Sequence, residues 1–364
     1  MHFKINTDTL ALALRRAQGV AGRKSTIPIL ANVLLAARDG ELTVTAFDLD
    51  VALVGEYPAE VVKPGAITLP AKHLLDIVKA LPEATVEFKG GKNNTVEVLC
   101  GSAHFKILGM PAEEYPALPA AEKAAPVKVS GRGLLELIGA TRHALSTDES
   151  RYILTGLLLA ADRDGALRAV ATDGHRMALA ERALEDAPKM KKAIIVPGKG
   201  LAELRSLLSE TPDAESYLAV GDTSLRYSRE GLALTIRLVD GVFPDYLEAV
   251  PKESVFFKVS RKPLMDTLRR IALLSDEKSH AVKLCLTPEK LEVTAQHRDL
   301  GEARDEVACD YDGPKVEAGF NATYLVAALE VLGGEDVLMA LQDDSSPLVL
   351  TVAGSQQVVM PMRM

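Results

Sequence analysis

AITLPAKHLLDIVKAL, residues 66–81, is written three times in this chain: it returns as AIIVPGKGLAELRSLL at 193–208 and as EAGFNATYLVAALEVL at 317–332. A second stretch keeps the same company. ELTVTAFDLD (41–50) returns as ALRAVATDGHRMA (166–178) and more faintly as KLEVTAQHRDLGEA (290–303). Both series step by about 125 residues, far longer than a solenoid or propeller period, so each unit is the size of a domain. The chain reads as three tandem similar domains, 1–124, 125–252 and 253–364. Punctuation supports these joints: PAEEYPALPAAEKAAP (111–126) and PDYLEAVPKES (244–254) are proline-rich stretches that cannot continue a strand. The third copy has no such stretch and ends in QQVVMPMRM (356–364).

Composition agrees with several separate cores, since 364 residues at 48% hydrophobic content exceed one ordinary domain. No apolar run approaches eighteen residues, so no membrane span is expected. The opening MHFKIN lacks the charged-then-apolar pattern of a signal peptide, and a cytoplasmic protein is expected. Cys100, Cys285 and Cys309 lie far apart in strand-like surroundings without a C-x-x-C pair. They read as buried small hydrophobes rather than disulfide or metal ligands. Neither a metal nor a cofactor is expected.

Within each copy a short β-like run leads into an amphipathic helix: FKI into TDTLALALRRAQGV, then ITL into PAKHLLDIVKAL. In the second of these, Leu74, Leu75, Val78 and Leu81 share one helical face, while Lys72, Asp76 and Lys79 share the other. Leu134, Ile138, Thr141 and Leu145 repeat the pattern, as do Leu201, Leu204 and Leu208, and Leu264, Leu268 and Ile271. Six helices follow, at 8–20, 71–81, 131–145, 198–208, 261–274 and 321–332. Runs such as LTVTAF, VEVLC, LRAVAT, LALTIRL, LEVTA and LVLTVA alternate as half-buried strands do. The fold class is therefore α+β, each domain being two helices packed against antiparallel sheets with the helices all on one side.

Charge then indicates what that side faces. The helices carry twelve basic residues, Arg15, Arg16, Lys72, Lys79, Arg132, Arg142, Lys199, Arg205, Arg261, Lys262, Arg269 and Arg270. Against them stand six acidic ones, Asp8, Asp76, Glu136, Glu203, Asp266 and Glu330. In a chain of formal net charge −8, this surplus of six leaves −14 for everything else. Positive helices on an acidic body suit a polyanion track. A pI near 5.5 and the lack of a dense Lys/Arg cluster argue that affinity alone does not hold the chain on DNA. Topology can supply the retention instead: an arc of three domains has a free sheet edge at each end, and a second identical chain pairing head to tail closes a ring.

Longer stretches carry a resemblance: STIPILANVLL (25–35), TAFDLD (45–50), VATDGHRMA (170–178), RLVDGVFPDY (237–246), LLSDEK (273–278), GFNATYL (319–325) and VVMPMRM (358–364). From end to end the chain resembles the bacterial sliding clamps, the β subunits of DNA polymerase III. The resemblance implies a DNA clamp fold, half of a head-to-tail homodimeric ring that encircles duplex DNA without sequence preference. Such a ring tethers the replicative polymerase, the clamp loader and repair proteins.

The family's partner-peptide pocket, which takes segments of the Gln-Leu-x-Leu-Phe kind, maps onto Leu154, Thr172, Gly174, His175, Arg176, Met177, Pro244, Val358, Met360, Pro361, Met362 and Arg363. Two methionines beside a proline give a deformable apolar surface that suits several partners in turn. The rim departs from the family pattern at Glu248, Ser345 and Pro347. The family's subunit contact maps onto Phe105 and Ile107 on one side and Leu273 and Leu274 on the other, with acidic residues near Glu302, Asp305 and Glu306 facing Lys72. DNA contacts map onto Arg23, Lys24, Arg151 and Tyr152, and the helical charge adds Arg142, Lys199, Arg205 and Arg269.

An enzyme is the competing class. Asp48 and Asp50 form a carboxylate pair, and Asp173 with His175 an acid/base pair that a metal-dependent hydrolase could use. The simpler account is turn chemistry, since Asp and Gly between two strands make a tight reversal and Asp48 and Asp173 occupy equivalent repeat positions. No H-E-x-x-H, G-x-S-x-G or complete phosphate loop is present; PGKGL (197–201) lacks the spacing and the Ser/Thr. A third class is a polyspecific scaffold that does not bind DNA.

Overall fold

The computed structural model describes residues 1–22, 27–119, 122, 124–161, 166–183, 190, 192–251 and 255–363. The first copy runs β1 (His2–Asn6), α1 (Thr7–Val20), β2 (Asn32–Arg38), β3 (Glu41–Phe47), β4 (Val51–Pro58), β5 (Glu60–Lys63), β6 (Gly65–Pro70), α2 (Ala71–Lys79), β7 (Thr85–Gly90), β8 (Thr95–Cys100) and β9 (Ala103–Leu108). The second repeats it without the extra strand: β10 (Val127–Val129), α3 (Gly131–Thr141), β11 (Gly156–Ala161), β12 (Ala166–Thr172), β13 (Arg176–Ala183), β14 (Ile194–Pro197), α4 (Gly198–Glu210), β15 (Ser216–Val220), β16 (Ser224–Arg229) and β17 (Leu232–Arg237). The third is β18 (Val255–Ser260), α5 (Arg261–Ala272), β19 (Ala281–Thr287), β20 (Lys290–His297), β21 (Gly301–Asp310), β22 (Val316–Asn321), α6 (Ala322–Val331), β23 (Asp336–Leu341), β24 (Leu348–Val352) and β25 (Ser355–Val359).

Local chemistry accounts for these elements. Asn6 caps α1 by accepting from the Thr9 amide at 3.0 Å, and Leu10, Leu14 and Ala17 of that helix are buried at helical spacing. Asn321 caps α6 through the amides of Thr323 and Tyr324 at 2.9 and 3.2 Å. In α2 the buried side chains are Leu74, Leu75 and Val78, and Lys72, Asp76 and Lys79 are exposed, as the periodicity predicts. The helix expected over 131–145 stops at Thr141. Its hydroxyl bonds back to the Leu137 carbonyl at 2.7 Å and its backbone leaves helical geometry, so Arg142 lies in a short 3₁₀ turn. Leu81 likewise falls beyond the end of α2. Cys100 and Cys285 are buried and Cys309 is only half-buried; all three are free thiols.

The strands pair across copy boundaries, and the compact units follow the pairing. One unit comprises Met1–Arg132 with Lys199–Leu238, the other Gly133–Gly198 with Val239–Met364. The first holds a five-stranded sheet, β5-β1-β7-β8-β9, and an eight-stranded sheet, β10-β15-β16-β17-β4-β3-β2-β6. Its packing includes Phe3 stacked on Phe88 at 4.8 Å, and α1 approaches α4 so closely that a Cβ on Gly19 would overlap the Glu203 carboxylate. The second holds a twelve-stranded sheet, β14-β11-β12-β13-β25-β24-β23-β18-β21-β20-β19-β22. Phe257, Leu264, Leu268, Phe320, Leu325 and Leu329 belong to its core.

The repeat is kept at the level of single backbone pairs. Met110 bridges to Thr68, Val239 to Ile195 and Met362 to Gly319, in each case three residues before the copy's second helix begins. The copies join in one way: β17 of the second pairs antiparallel with β4 of the first, and β25 of the third with β13 of the second. At the corresponding places, among the described residues, β9 pairs only with β8, and β21 pairs with β20 along its length but with β18 only at Cys309 and Asp310.

Candidate functional site

The reversal between β12 and β13 is built from its own polar groups. Asp173 accepts from the amides of His175 and Arg176 at 2.9 and 3.0 Å, and its other oxygen takes the Arg176 Nε at 3.0 Å. Thr172 donates to the Arg176 carbonyl at 2.8 Å and accepts from the Gly174 amide at 3.1 Å. Gly174 has φ +87°, where a side chain would be strained. Asp48 plays the same part in the first copy, capping the Asp50 and Val51 amides at 3.1 and 2.6 Å. These carboxylates are consumed by turn formation, and among the described residues no cluster of His, Cys, Asp or Glu is placed to hold a metal ion.

Below the reversal, β13 presents Met177 directly across from Val358 of β25, both buried. They belong to a cluster with Leu158, Val170, Ile195, Ala340 and Val349, against which Ile153, Phe243 and Tyr246 pack half-buried. Asp148 caps the 3₁₀ segment Glu149–Thr155 through Ser150, which sets Ile153 and Leu154 half-buried and leaves Tyr152 exposed. The segment 239–250 passes over the cluster. Arg168 donates to the Tyr246 hydroxyl at 3.0 Å, Pro244 is exposed, and Val242 is 87% exposed.

The C-terminal tail completes the site. The Met360 amide donates to the His175 carbonyl at 2.9 Å, and the Met362 amide to the Gly319 carbonyl at 2.8 Å. These two bonds hold Met360 exposed and Pro361 and Met362 half-buried, the latter two lining a groove of about 630 Å³ with Lys283, Glu317 and Ser345. Leu154, Thr172, Gly174, His175, Met177, Pro244, Val358 and Met360–Arg363 all belong to this one compact unit. An apolar floor under a rim of backbone and hydroxyl groups can seat an extended peptide with alternating apolar side chains.

Arg176 departs from the expectation. Its guanidinium is tied to Asp173 and lies over the Tyr324 ring at 4.4 Å, so it braces the reversal from the side opposite Met177. Sequence reading missed Tyr324, Ile153, Phe243 and Tyr246, although Ile153 is the repeat counterpart of Ile29 and was accessible by that route. It also missed His143, whose Nδ1 is buried without a hydrogen-bond partner among the described residues. At the rim, Glu248 and Ser345 are exposed and Pro347 is half-buried; Ser345 is fixed by its amide on Asp343 at 3.0 Å.

Burial, with Arg176 nearby, pushes His143 down to about 4, so it is neutral in the folded protein at neutral pH. The unfolded chain takes up that proton below about pH 6.5, whereas the folded one resists it until about 4. Stability is therefore expected to fall as pH drops across that window, by at most about 3 kcal/mol from this group. Urea midpoints at pH 7 and pH 5 check it: the drop should be smaller for His143→Gln, and an equal drop would remove His143 as its source.

Three family models match the chain in order: the N-terminal domain of the DNA polymerase III beta subunit over residues 1–119, its central domain over 128–245 and its C-terminal domain over 248–363. The chain belongs to the DNA polymerase III beta subunit family. It is 36% identical over 373 residues to the beta sliding clamp of Pseudomonas putida and 35% identical to that of Caulobacter vibrioides, with both chains fully covered in each case. The crystal structure of DNA polymerase III subunit beta from Pseudomonas aeruginosa superposes with a TM-score of 0.94 at 35% identity, again covering both chains completely. Three tandem clamp domains of antiparallel sheets and helices are thus the architecture, and a sliding clamp of DNA replication is the functional class.

Apart from Arg261, which donates to the Gly334 and Leu329 carbonyls at 2.9 and 3.0 Å, the helical cations divide into two groups. Arg16 is paired with Glu210 at 2.6 Å, Arg132 with Asp213 at 2.7 Å, Arg269 with Glu330 at 2.6 Å and Arg270 with Asp305 at 2.5 Å. Lys199 is held by Asp48 and the Val20 carbonyl. Arg15, Lys72, Lys79, Arg142, Arg205 and Lys262 are exposed with no ion pair among the described residues. Of the expected DNA contacts, then, Arg142 and Arg205 are unpaired, and Lys199 and Arg269 are committed to carboxylates. Arg151 donates to the Asp173 carbonyl at 3.2 Å, Tyr152 is exposed, and Arg23 and Lys24 lie outside the described residues.

Of the residues expected at a subunit contact, Phe105 and Ile107 are half-buried on the edge strand β9. Leu273 is 81% exposed just past the end of α5, beside a half-buried Leu274. Asp305 and Glu306 are already paired within the chain, to Arg270 and Lys290, whereas Glu302 is exposed with no ion pair among the described residues.

Proposed function

We propose that two copies of this chain close head to tail into a ring that encircles duplex DNA. The ring tethers the replicative polymerase and its clamp loader through Gln-Leu-x-Leu-Phe-type segments seated on the pocket of Leu154, Thr172, Gly174, His175, Met177, Pro244, Val358 and Met360–Arg363. Arg176 braces that pocket. Domains at 1–124, 125–252 and 253–364 supply the arc. Arg142, Arg151, Tyr152 and Arg205, with Arg23 and Lys24, face the DNA, and Lys199 and Arg269 reach it only by exchanging their carboxylates. The ring acts in the bacterial cytoplasm.

The repeated joint supports this reading most directly. In the two joints inside the chain, Leu234 pairs with Leu53 and Gln357 with Ala178, and all four are buried. The hairpin pairs Arg229↔Leu232, Val352↔Ser355 and Cys100↔Ala103 put Phe105 at the position of Leu234 and Gln357. The reversals Phe47↔Ala52, Thr172↔Met177 and Gln296↔Glu302 put Ala303 at the position of Leu53 and Ala178. Closure by the same rule sets Phe105 of one copy against Ala303 of the next. Leu234 and Leu53 form a pair without mutual hydrogen bonds, because Arg237 and Asp50, three residues further along each strand, carry one. Side chains are closest in such pairs.

A variant carrying Phe105→Cys and Ala303→Cys should therefore oxidise to a covalent dimer in high yield. After loading on circular DNA, the oxidised dimer should stay through high salt until the DNA is linearised. A Phe105→Cys, Glu302→Cys variant, one residue out of register, should not link. Equal linking of both variants, or release from circular and linear DNA at the same rate, would refute the ring.

A further inference from the structure

The two joints inside the chain also share a cross-strand row on the sheet face that carries the pocket floor. At the second joint the row reads Ala340, Val349, Val358, Met177, Thr172, each the direct partner of the next. At the first joint the corresponding row reads Ala219, Arg226, Thr235, Ala52, Phe47. The end formed by Ala52 and Phe47 is filled, since both pack with Ile29 and Tyr115 in a buried cluster. The other end is open: a cavity of about 210 Å³ lies over it, lined by Ser224, Arg226, Ser228 and Thr235, with Glu122 and Pro126 of the segment between the first two copies at its rim.

Two apolar side chains of the pocket row are thus replaced by a guanidinium and a hydroxyl. Leu225 and Tyr227 of β16 point into the core, so the alternating Ser224, Arg226 and Ser228 stand together on the cavity face. Arg226 is exposed and makes no ion pair among the described residues, and unlike the unpaired helical cations it stands on a strand and lines a cavity. The cavity already receives one carboxylate. Glu122 accepts from the Asp222 and Thr223 amides at 2.6 and 3.0 Å and from the Thr223 and Ser224 hydroxyls at 2.6 and 2.8 Å. These donors hold Glu122 ionised, at about 2. They saturate it, and leave Arg226 without an anion among the described residues.

We infer that this cavity is a second docking site, for a carboxylate side chain of an acidic partner segment, with Arg226 as its cation and Ser228 and Thr235 as hydrogen-bonding walls. A guanidinium flanked by hydroxyls on a rigid sheet face is suited to a carboxylate, because its planar fork takes both oxygens at once. The strands that carry it, β16 and β17, are the repeat counterparts of β24 and β25, which carry the peptide floor at the other joint, so an acidic segment would lie on the same kind of surface with the opposite chemical preference.

The test is fluorescence anisotropy with the full-length chain at low ionic strength and a capped, labelled hexapeptide of alternating Asp and Glu. Saturable binding is expected. It should weaken about tenfold or more in Arg226→Ala, the scale of a lost charged pair, and a fewfold in Thr235→Val. It should be unchanged in Lys92→Ala, which removes a cation from the turn between β7 and β8, and in the chain lacking Met360–Met364. The latter variant separates this site from the tail pocket, whose own peptide it should no longer bind. No saturable binding, equal binding of the Asn/Gln version of the peptide, or equal losses in Arg226→Ala and Lys92→Ala would overturn the site. Arg226 is exposed, so its substitution leaves the fold intact; Arg226→Gln, which keeps the stem, carries the same expectation.

Discussion

Deleting Met360–Met364 is expected to abolish binding of a Gln-Leu-x-Leu-Phe peptide and of the polymerase, without opening the ring. The tail is held by the bonds of Met360 to His175 and Met362 to Gly319, each worth about 1 kcal/mol net. The pairing of β25 with β13 runs only to Val359 and survives the deletion. What disappears is one wall of the pocket, so Met177 and Val358 lie beneath an open surface that no longer encloses an apolar side chain. Neither β9 nor Leu274 is touched. Met362→Ala alone should weaken the peptide by about 1–2 kcal/mol, the range of an anchor short of a dominant hot spot. Calorimetry with the peptide, beside sizing of the same variants, decides it: undiminished affinity in the truncated chain would make the tail packing only.

Much of this site was legible in the sequence because repetition is a strong signal. Three copies of one pattern located the six helices, and the Asp-Gly reversal at 173–174 is legible as turn chemistry from its residue types alone. Helix ends were less legible. The Thr141 hydroxyl turns back onto the Leu137 carbonyl, and periodicity carries no trace of that bond. Charge counting also has a limit: it tallies Lys199 and Arg269 as free cations, whereas their carboxylate partners are 151 and 61 residues away in sequence. Only the fold shows which cations remain for a polyanion.

Arg176 shows a different gap. The sequence places it in the pocket motif, but β-strand alternation puts it on the face opposite Met177, where Asp173 and Tyr324 hold it. The compact units also cut across the repeat. Sequence similarity marks three domains, whereas strand pairing gathers the first copy with the second half of the next, and the rest with the third. The joints are continuous sheet rather than linkers, so the proline-rich punctuation of the sequence does not mark a break between the copies.

That continuity would make the joints between copies, which neither chain forms by itself, the weak points of the proposed ring, and it leads to the second large effect. Leu273→Ala with Leu274→Ala is expected to yield a folded monomer that is not retained on circular DNA. Leu273 is 81% exposed, so its truncation removes almost nothing from the chain's own core. Its apolar surface gains burial only if a second copy covers it, and burying a leucine contributes roughly 1.5–3 kcal/mol. Losing two at each of two joints removes several kcal/mol from closure, against the modest help of an exposed pair such as Lys72 with Glu302. The separation of effects is the test. Thermal unfolding of the variant at micromolar concentration should stay close to that of the wild-type chain, while light scattering moves to the monomer mass and salt-resistant retention on circular DNA is lost. A dimer persisting at submicromolar concentration would place the closing contact elsewhere than α5 and β9.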